Sequence, residues 1–324
     1  MRILIIQTAF LGDVILITPM LRELKNALPD AEIDVLVRKG NESLLGNNPH
    51  LSKLFVWDKK RKFASLFENL FAIRKRKYDE VICVQRYFNA GFLATFSKGK
   101  KLSGFTQNPW SFMFNKKMKH ELQGGKHEVD RNLALIQHLI GHAQNRRPEL
   151  FPSATDFDFV AQYQQGDYYC LAPASVWFTK QLPEEQWVKL IQILKQENTV
   201  YLLGAPSDLE LCERIRKEAN SDKIVNLCGK LSLMQSAALM QKARRNYVND
   251  SGPMHLASAM NAETTVFYCS TVPAFGFGPL AEDSEIIEIQ ENLACRPCGS
   301  HGFKQCPKAH FDCGKKIDVG SVKI

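Results

Sequence analysis

The chain repeats one rhythm twice: a short apolar run rich in β-branched residues, then a loop, then a helical pattern. Ile3-Leu4-Ile5-Ile6 opens the first half, followed by a loop over residues 7–12 and helical spacing over 13–27. Further strands are predicted at 33–37, 54–57 and 80–84, with helices near 63–75 and 128–140. The stretch Arg146-Arg147-Pro148-Glu149-Leu150-Phe151-Pro152-Ser153 then breaks the pattern and reads as a linker extending toward Gly166. Beyond it, strands at 168–172, 199–203, 224–227, 247–248 and 264–268 alternate with helices at 183–196, 208–219, 233–242 and 253–260. Ser207 with Glu210, and Ser232 with Gln235, have capping-box spacing at two of those helix starts. Such alternation builds parallel sheets covered by helices. The expected fold class is α/β: two Rossmann-like doubly wound domains, residues 1–155 and 156–324, facing across a cleft. Ligands of such folds bind beyond the carboxyl ends of the strands.

Composition removes several classes. With 45% hydrophobic and 23% charged residues among 324, the chain can bury two cores and is not disordered. No stretch approaches eighteen apolar residues without a charge, which argues against a membrane-spanning helix. The first residues pass from one arginine straight into the apolar run with no small-residue cleavage site. They are expected to form a strand, not a signal peptide, and the expected location is cytoplasmic. There is no G-x-G-x-x-G after a strand, no G-x-x-x-x-G-K-[ST] loop and no H-E-x-x-H, so the simple routes to a nicotinamide cofactor, a P-loop nucleotide or a zinc protease lapse.

Charge is unevenly placed. Residues 1–150 hold 25 Lys and Arg against 14 Asp and Glu, a net of +11, whereas the remainder holds 17 against 20. Basic clusters recur at Lys59-Lys60-Arg61-Lys62, Arg74-Lys75-Arg76-Lys77, Lys98-Gly99-Lys100-Lys101 and Lys116-Lys117-Met118-Lys119. An anionic partner of the first half is the functional interpretation, with nucleic acid, anionic lipid and phosphorylated glycolipid as candidates; a solvated face is the plain one.

Three loops beyond strand ends carry candidate chemistry. In Asn249-Asp250-Ser251-Gly252-Pro253-Met254-His255, Asp250 or Ser251 can cap a helix, Gly252 permits close backbone approach, and Pro253 suits the first turn. The N–H groups of that turn, Met254 included, would attract a phosphate that His255 could also reach. An ordinary capped helix with a buried histidine needs the same residues. The loop over 172–183 presents Thr179 and Lys180, a hydroxyl and a point charge suited to a departing diphosphate; a surface lysine is the plain alternative. The loop over 7–13 brings Asp13 to a helix start, where the terminus should lower its pKa and keep it ionised to accept a proton. An N-cap would have the same geometry.

The pairing of the N-terminal I-L-I-I-x-x-x-x-x-G-D loop with N-D-S-G-P-M-H-L-A resembles glycosyltransferase family 9, the ADP-heptose heptosyltransferases of lipopolysaccharide core synthesis. The likeness runs from Arg2 to about Cys313, and the tail Cys295-x-x-Cys298…Cys306…His310-Phe311-Asp312-Cys313 is similar to that of the heptosyltransferase II branch. The resemblance implies a GT-B fold and a metal-independent, inverting transfer needing no cofactor. ADP-heptose would be bound mainly by the second half, and a phosphorylated lipopolysaccharide-core acceptor by the first. By the same resemblance, Asp13 matches the catalytic base and Lys180 with Thr179 the diphosphate loop. Asp250, Ser251, Gly252, Pro253, Met254 and His255 match the donor-binding turn, and Asp208 matches the ribose-binding acid only loosely. Two departures stand out. Several relatives have Arg where Gln7 stands, and a Trp or Gly precedes their ribose-binding acid, unlike Leu203-Gly204-Ala205-Pro206-Ser207-Asp208. Peripheral association with the anionic inner-membrane surface, and no nucleic-acid partner, are expected. A rival within enzymes is a family member using another nucleotide sugar or acceptor, and the rival from another class is a non-catalytic nucleic-acid-binding protein with a zinc tail.

Nine cysteines bear on redox state. Cys83, Cys170, Cys212, Cys228 and Cys269 are scattered, four of them in apolar runs, and are expected to be buried free thiols. Cys295, Cys298, Cys306 and Cys313 have a spacing compatible with a structural zinc, with free thiols or with disulfides, and His301 and His310 are spare ligands.

Overall fold

The computed structural model describes residues 1–122, 124–194 and 197–324, Lys62 by its backbone alone. The chain divides into two compact units, Met1–Phe151 and Pro152–Ile324. In the first, six parallel strands run β1 (Arg2–Gln7), β2 (Glu32–Arg38), β3 (Lys53–Trp57), β4 (Glu80–Cys83), β5 (Lys101–Phe105) and β6 (Lys116–Met118), in spatial order β3-β2-β1-β4-β5-β6. The second holds β7 (Tyr168–Ala172), β8 (Thr199–Leu202), β9 (Ile224–Asn226), β10 (Arg245–Asn249), β11 (Thr264–Tyr268) and β12 (Ser284–Glu288), ordered β12-β11-β10-β7-β8-β9. Renumbered from its first strand, the second sheet has the order of the first, the Rossmann order.

The central strands β1 and β7 are largely apolar because helices cover both faces of a parallel sheet, whereas β10 carries the buried polar residues Arg245, Asn246 and Asn249. Ile3 to Ile6 on β1 are fully buried, as are Tyr169 and Leu171 on β7. Around the first sheet lie α1 (Leu11–Ile15), α2 (Thr18–Ala27), α3 (Lys62–Arg76), α4 (Phe88–Phe96), α5 (Glu128–Ala134) and α6 (Gln137–Ile140). Around the second lie α7 (Ala154–Val160), α8 (Glu184–Ile193), α9 (Leu209–Ala219), α10 (Leu233–Gln241), α11 (Gly252–Ala259) and α12 (Asp312–Lys315). Trp187 on α8 meets Phe267 of β11 edge to face, at 5.4 Å between ring centroids, in a core that also takes in Phe311 and Cys313.

Several expectations shift. The helix expected at 13–27 is two helices, because Pro19 opens the second and the Thr18 hydroxyl donates to Ile15 O at 2.8 Å instead of prolonging the first. The helix at 128–140 divides likewise into α5 and α6. The supposed linker contains α7: the Ser153 hydroxyl accepts the Asp156 N–H and Asp156 accepts the Ser153 N–H, a capping box that starts a helix at once. The Ser232–Gln235 box forms as expected, whereas Ser207–Glu210 does not, since Asp208 takes the Ala205 N–H at 2.8 Å within a 3-10 turn opened by Pro206. Residues 195 and 196 of the expected helix at 183–196 lie outside the described residues, and Ile193 ends α8.

Among the described residues no helix is long and apolar enough to cross a membrane. At the carboxyl edge of the first sheet, buried Asn108 donates to Gln85 O at 2.8 Å and Tyr87 O at 3.2 Å and accepts the Trp110 N–H at 2.9 Å. Gly91 makes room for it, since a Cβ there would lie 2.0 Å from Asn108 Oδ1. Asn108→Ala strands three backbone groups and should cost about 2 kcal/mol of stability, read as a lower urea midpoint with an unchanged m-value.

Candidate active site

In a doubly wound sheet the connections from two neighbouring central strands leave toward opposite faces, opening a crevice at their carboxyl ends. In the first unit those strands are β1 and β4, and Asp13 lies just beyond β1, in the first turn of α1. It is the third helical residue, not the N-cap. Phe10 is the N-cap, and its N–H donates to Asp13 Oδ2 at 3.2 Å. The loop is held from three sides. Gln7 Oε1 accepts the Ala9 N–H at 3.3 Å and a bond from the Gln85 side-chain amide beyond β4, and Asn41 Nδ2 donates to Ala9 O at 3.0 Å. The Arg38 guanidinium covers the Phe10 ring at 4.7 Å.

The expectation that the helix terminus would lower the Asp13 pKa is overturned. Burial, and then the negative charge of Glu128, push it up to about 6 against the opposing pull of the Phe10 N–H, its own N–H and Arg86. Glu128 supplies that charge because it stays ionised. Burial alone would raise its pKa, but His120 Nε2 at 2.9 Å and Arg131 Nε at 2.7 Å reverse the shift. Asn132, one turn further along α5, donates to Leu16 O at 3.3 Å and fixes α5 against the segment that follows α1. Glu128, His120, Arg131 and Arg86 were all missed from the sequence, since an electrostatic neighbour seventy or more residues away leaves no local signal.

In the second unit the corresponding strands are β7 and β10. The loop after β7 ends in a 3-10 turn, Phe178–Lys180, and the loop after β10 holds Asp250 and Ser251. Lys180 Nζ pairs with Asp250 Oδ2 at 2.7 Å, and the Thr271 hydroxyl donates to the same oxygen at 2.7 Å. The two side chains are 16% and 8% exposed, so this is a partly desolvated pair in which removing either partner would leave a poorly solvated charge unpaired. Buried Asn249 joins the loops: Oδ1 accepts the Leu182 N–H at 2.9 Å, and Nδ2 donates to Pro173 O at 2.7 Å. Thr179 is buried, its hydroxyl accepting from Ser270 Oγ at 2.9 Å and from the Phe303 N–H at 2.8 Å.

Ser251 is the N-cap of α11, but its hydroxyl makes no cap bond; it donates to Asn249 O at 3.4 Å. The first turn, with Gly252, Pro253 and Met254, therefore has no side-chain cap, the condition under which a helix start holds an anion. His255 is buried in the same turn. Asp208 stands apart from this group and is committed locally, accepting from the Ala205 N–H and from Ser207 Oγ at 3.0 Å.

All nine cysteines are free thiols, and the five scattered ones are buried as expected. Among the described residues no group of three or more His, Cys, Asp or Glu is placed to hold a metal ion, so the zinc set allowed by the spacing is not formed. Cys298 Sγ donates to Cys295 O at 2.9 Å, Cys295 Sγ lies 3.8 Å from His310 Nε2, and Cys313 packs into the core, where burial raises its thiol to about 12. What the tail does do is close over the Lys180 turn. Gly302, at φ +78°, would carry a Cβ 3.0 Å from both Lys180 Cγ and Thr179 Oγ1. Arg296 Nε donates to Cys269 O at 2.7 Å and Nη2 to Thr271 O at 2.8 Å.

Comparison with known proteins gives a consistent family. The family model of glycosyltransferase family 9 (heptosyltransferase) matches residues 67–305. Lipopolysaccharide heptosyltransferase 3 of Escherichia coli is 25% identical over 81% of this chain and 82% of its own length. Lipooligosaccharide heptosyltransferase 2 of Campylobacter jejuni is 24% identical over 99% and 96%. Among solved structures, E. coli ADP-heptose lps heptosyltransferase II superposes with a TM-score of 0.78 at 20% identity, over 96% of this chain and 97% of that one. The fold class is thus GT-B, two Rossmann-like halves.

Because Asp13 is held protonated to a higher pH in the folded chain than in the unfolded one, its contribution to stability is present at low pH and lost as pH rises through about 6. Asp13→Asn escapes that loss. Its stability advantage over the parent should grow between pH 4 and pH 7 by about 1–3 kcal/mol and then level off, measured by denaturant titration at each pH. A difference that stays flat with pH would refute the raised pKa.

Proposed function

From a chain that belongs to glycosyltransferase family 9 and is a glycosyltransferase, we propose an inverting transfer of heptose from ADP-heptose to a phosphorylated, lipid-linked lipopolysaccharide-core acceptor at a membrane surface. The observation that supports it is that both halves keep their distinctive chemistry at the same topological place: Asp13 beyond β1 beside β4, and the Lys180–Asp250 pair beyond β7 and β10.

The first unit binds the acceptor, for which its +11 charge provides long-range attraction. Asp13, with a pKa of about 6, is mostly ionised at neutral pH yet basic enough to take the acceptor hydroxyl's proton. The second unit binds the donor. Its diphosphate lies against Lys180 and the uncapped first turn of α11, while Thr179 and Asn249 hold the loops rigid. As the bond from the anomeric carbon to the diphosphate oxygen breaks, negative charge grows on the leaving group and Lys180 stabilises it. The acceptor oxygen forms the new bond from the opposite face, its proton passes to Asp13, and ADP departs with the bonding electrons. Asp250 anchors Lys180 through Oδ2, and its Oδ1 is left to accept a sugar hydroxyl. The ribose acid stays unassigned, since the carboxylate of Asp208 is engaged by its own turn.

The nucleic-acid-binding alternative is not favoured by the family membership. Within the family, relatives numbered 3, 1 and 2 match at 25%, 25% and 24% identity, so the type II assignment rests on the cysteine spacing alone.

Two kinetic outcomes test the proposal. Asp13→Asn should lower kcat by about 10²- to 10⁴-fold with the Kd for ADP unchanged, and the parent's kcat/KM should fall on the acid side with an apparent pKa near 6. Lys180→Ala should weaken ADP binding by about ten-fold or more and slow transfer as well. Full activity of Asp13→Asn with ADP-heptose would remove the general base.

A further inference from the structure

The helix α3 is apolar on two faces. Leu66, Leu70 and Ile73 pack into the first unit's core, while Phe63, Phe67 and Phe71, spaced four apart, point the other way and are 66%, 43% and 58% exposed. A helix with one buried stripe should be polar on its outer face, and this one carries a second aromatic stripe there. The stripe continues beyond α3. Phe67 meets Phe92 of α4 edge to face at 6.3 Å, Phe92 meets Phe96 at 4.7 Å, and Phe96 meets Trp110 at 5.3 Å. Phe112 then stacks on Trp110 at 6.1 Å and is itself exposed. The result is a continuous aromatic surface, unlike the scattered apolar residues of an ordinary exterior.

Its margin is basic. Lys75 extends the four-residue spacing of the stripe within α3, Lys59 and Lys60 lie in the 3-10 turn that precedes the helix, and Lys77 and Lys98 follow the ends of α3 and α4, all exposed. None of these five forms an ion pair among the described residues, whereas Glu68, the acidic residue within α3, is already neutralised by Arg61 at 2.6 Å. The starts of α3 and α4 both follow the carboxyl ends of their strands, so the surface reaches the edge of the sheet on which Asp13 stands.

We propose that the aromatic surface of α3, α4 and residues 110–112, with its lysine margin, docks on an anionic phospholipid bilayer and holds the first unit where a lipid-linked acceptor is presented. Aromatic side chains enter the headgroup boundary while lysines pair with anionic lipid, each at about 1 kcal/mol near such a surface. Charge decides against a second copy of the chain as the occupant. A two-fold contact through this face would set the unpaired lysine margin of one copy against the equally basic margin of the other, which costs energy without compensation. The proposal takes its acceptor from the proposed function, but its own measurement needs no donor and no turnover.

Vesicle co-sedimentation tests it. The full chain should bind vesicles of phosphatidylcholine with about one third phosphatidylglycerol, bind pure phosphatidylcholine weakly, and release in high salt. The triple variant Phe63→Ser, Phe67→Ser, Phe71→Ser should bind the anionic vesicles at least about ten-fold less well while transferring to a delipidated acceptor at the parental rate. Lys75→Glu with Lys77→Glu and Lys98→Glu should lose the preference for anionic lipid with an unchanged circular dichroism spectrum. Equal binding by parent and triple variant, or no binding by the parent, overturns the proposal. So does a parental dimer that the triple variant converts to monomer without any vesicle binding. Failure of the parent to transfer to the delipidated acceptor would instead count against the proposed function and leave the vesicle result standing.

Discussion

Right-handed crossovers send the connections of β1 and β4 to opposite faces of the first sheet, and those of β7 and β10 to opposite faces of the second. At each reversal two loops leave neighbouring strand ends without packing on each other, so backbone groups there need partners that the sheet cannot supply. A buried asparagine meets that need in the second unit, where Asn249 spans the loop after β7 from within β10. In the first unit the Gln7–Gln85 pair joins the ends of β1 and β4, and Asn108 ties the β4 loop to its neighbour. These amides are rigid supports for the carboxylate and the lysine that the crevices expose.

The support carries an energetic cost that is concentrated at Asp13. Burial is the larger cause of the raised Asp13 pKa, and Glu128, which could have been an apolar residue in its buried position, adds to it against the helix start that would favour the ionised form. The Glu128 charge is preserved by His120 and Arg131 and directed at Asp13, whose ionised form becomes less favourable. Interior electrostatics of this kind destabilise the fold near neutral pH while moving a carboxylate toward the range useful for proton transfer. The Lys180–Asp250 pair follows the opposite logic. There the opposite charges hold each other in place.

How much of this could be read from the residue order depends on the range over which each feature is encoded. Strands such as Tyr168–Ala172 and Thr264–Tyr268 are short runs rich in apolar, aromatic and β-branched residues, and their bounds match the expectation. β5, β6 and β12 went unseen because Lys101–Phe105 contains Gly104, whose missing side chain admits the Phe114 ring, and because Lys116–Met118 and Ser284–Glu288 are edge strands with polar sequences. α4 was missed for the same reason that its phenylalanines are notable: an apolar stretch with no polar face has no helical period to detect. At the sites, the loops holding Asp13, Lys180 and Asp250 were legible from strand ends and helix-start residues. The Asp13 pKa differs from the expectation because the local sequence shows only the helix terminus, whereas the burial of Asp13 and the nearness of Glu128 both come from tertiary packing.

The C-terminal tail shows the limit of interpreting spacing as chemistry. Four cysteines at metal-like intervals suggest a ligand set, yet Cys313 is core, Cys306 packs against that core and Cys298 bonds to the carbonyl of Cys295. What distinguishes the segment is its backbone. Phe303 exchanges two hydrogen bonds with Thr179, Cys298 N donates to Ser270 O at 2.9 Å, and Gly302 lets the chain press against Lys180 Cγ. A side chain at position 302 would be strained by the positive φ and would crowd Lys180 Cγ and Thr179 Oγ1, so the tail is a close structural wall of the Lys180 turn. Cys313 is buried in the core and Cys306 packs against it, whereas Cys295 and Cys298 are only partly buried, so the tail is anchored by its later cysteines and by its backbone bonds to Thr179 and Ser270.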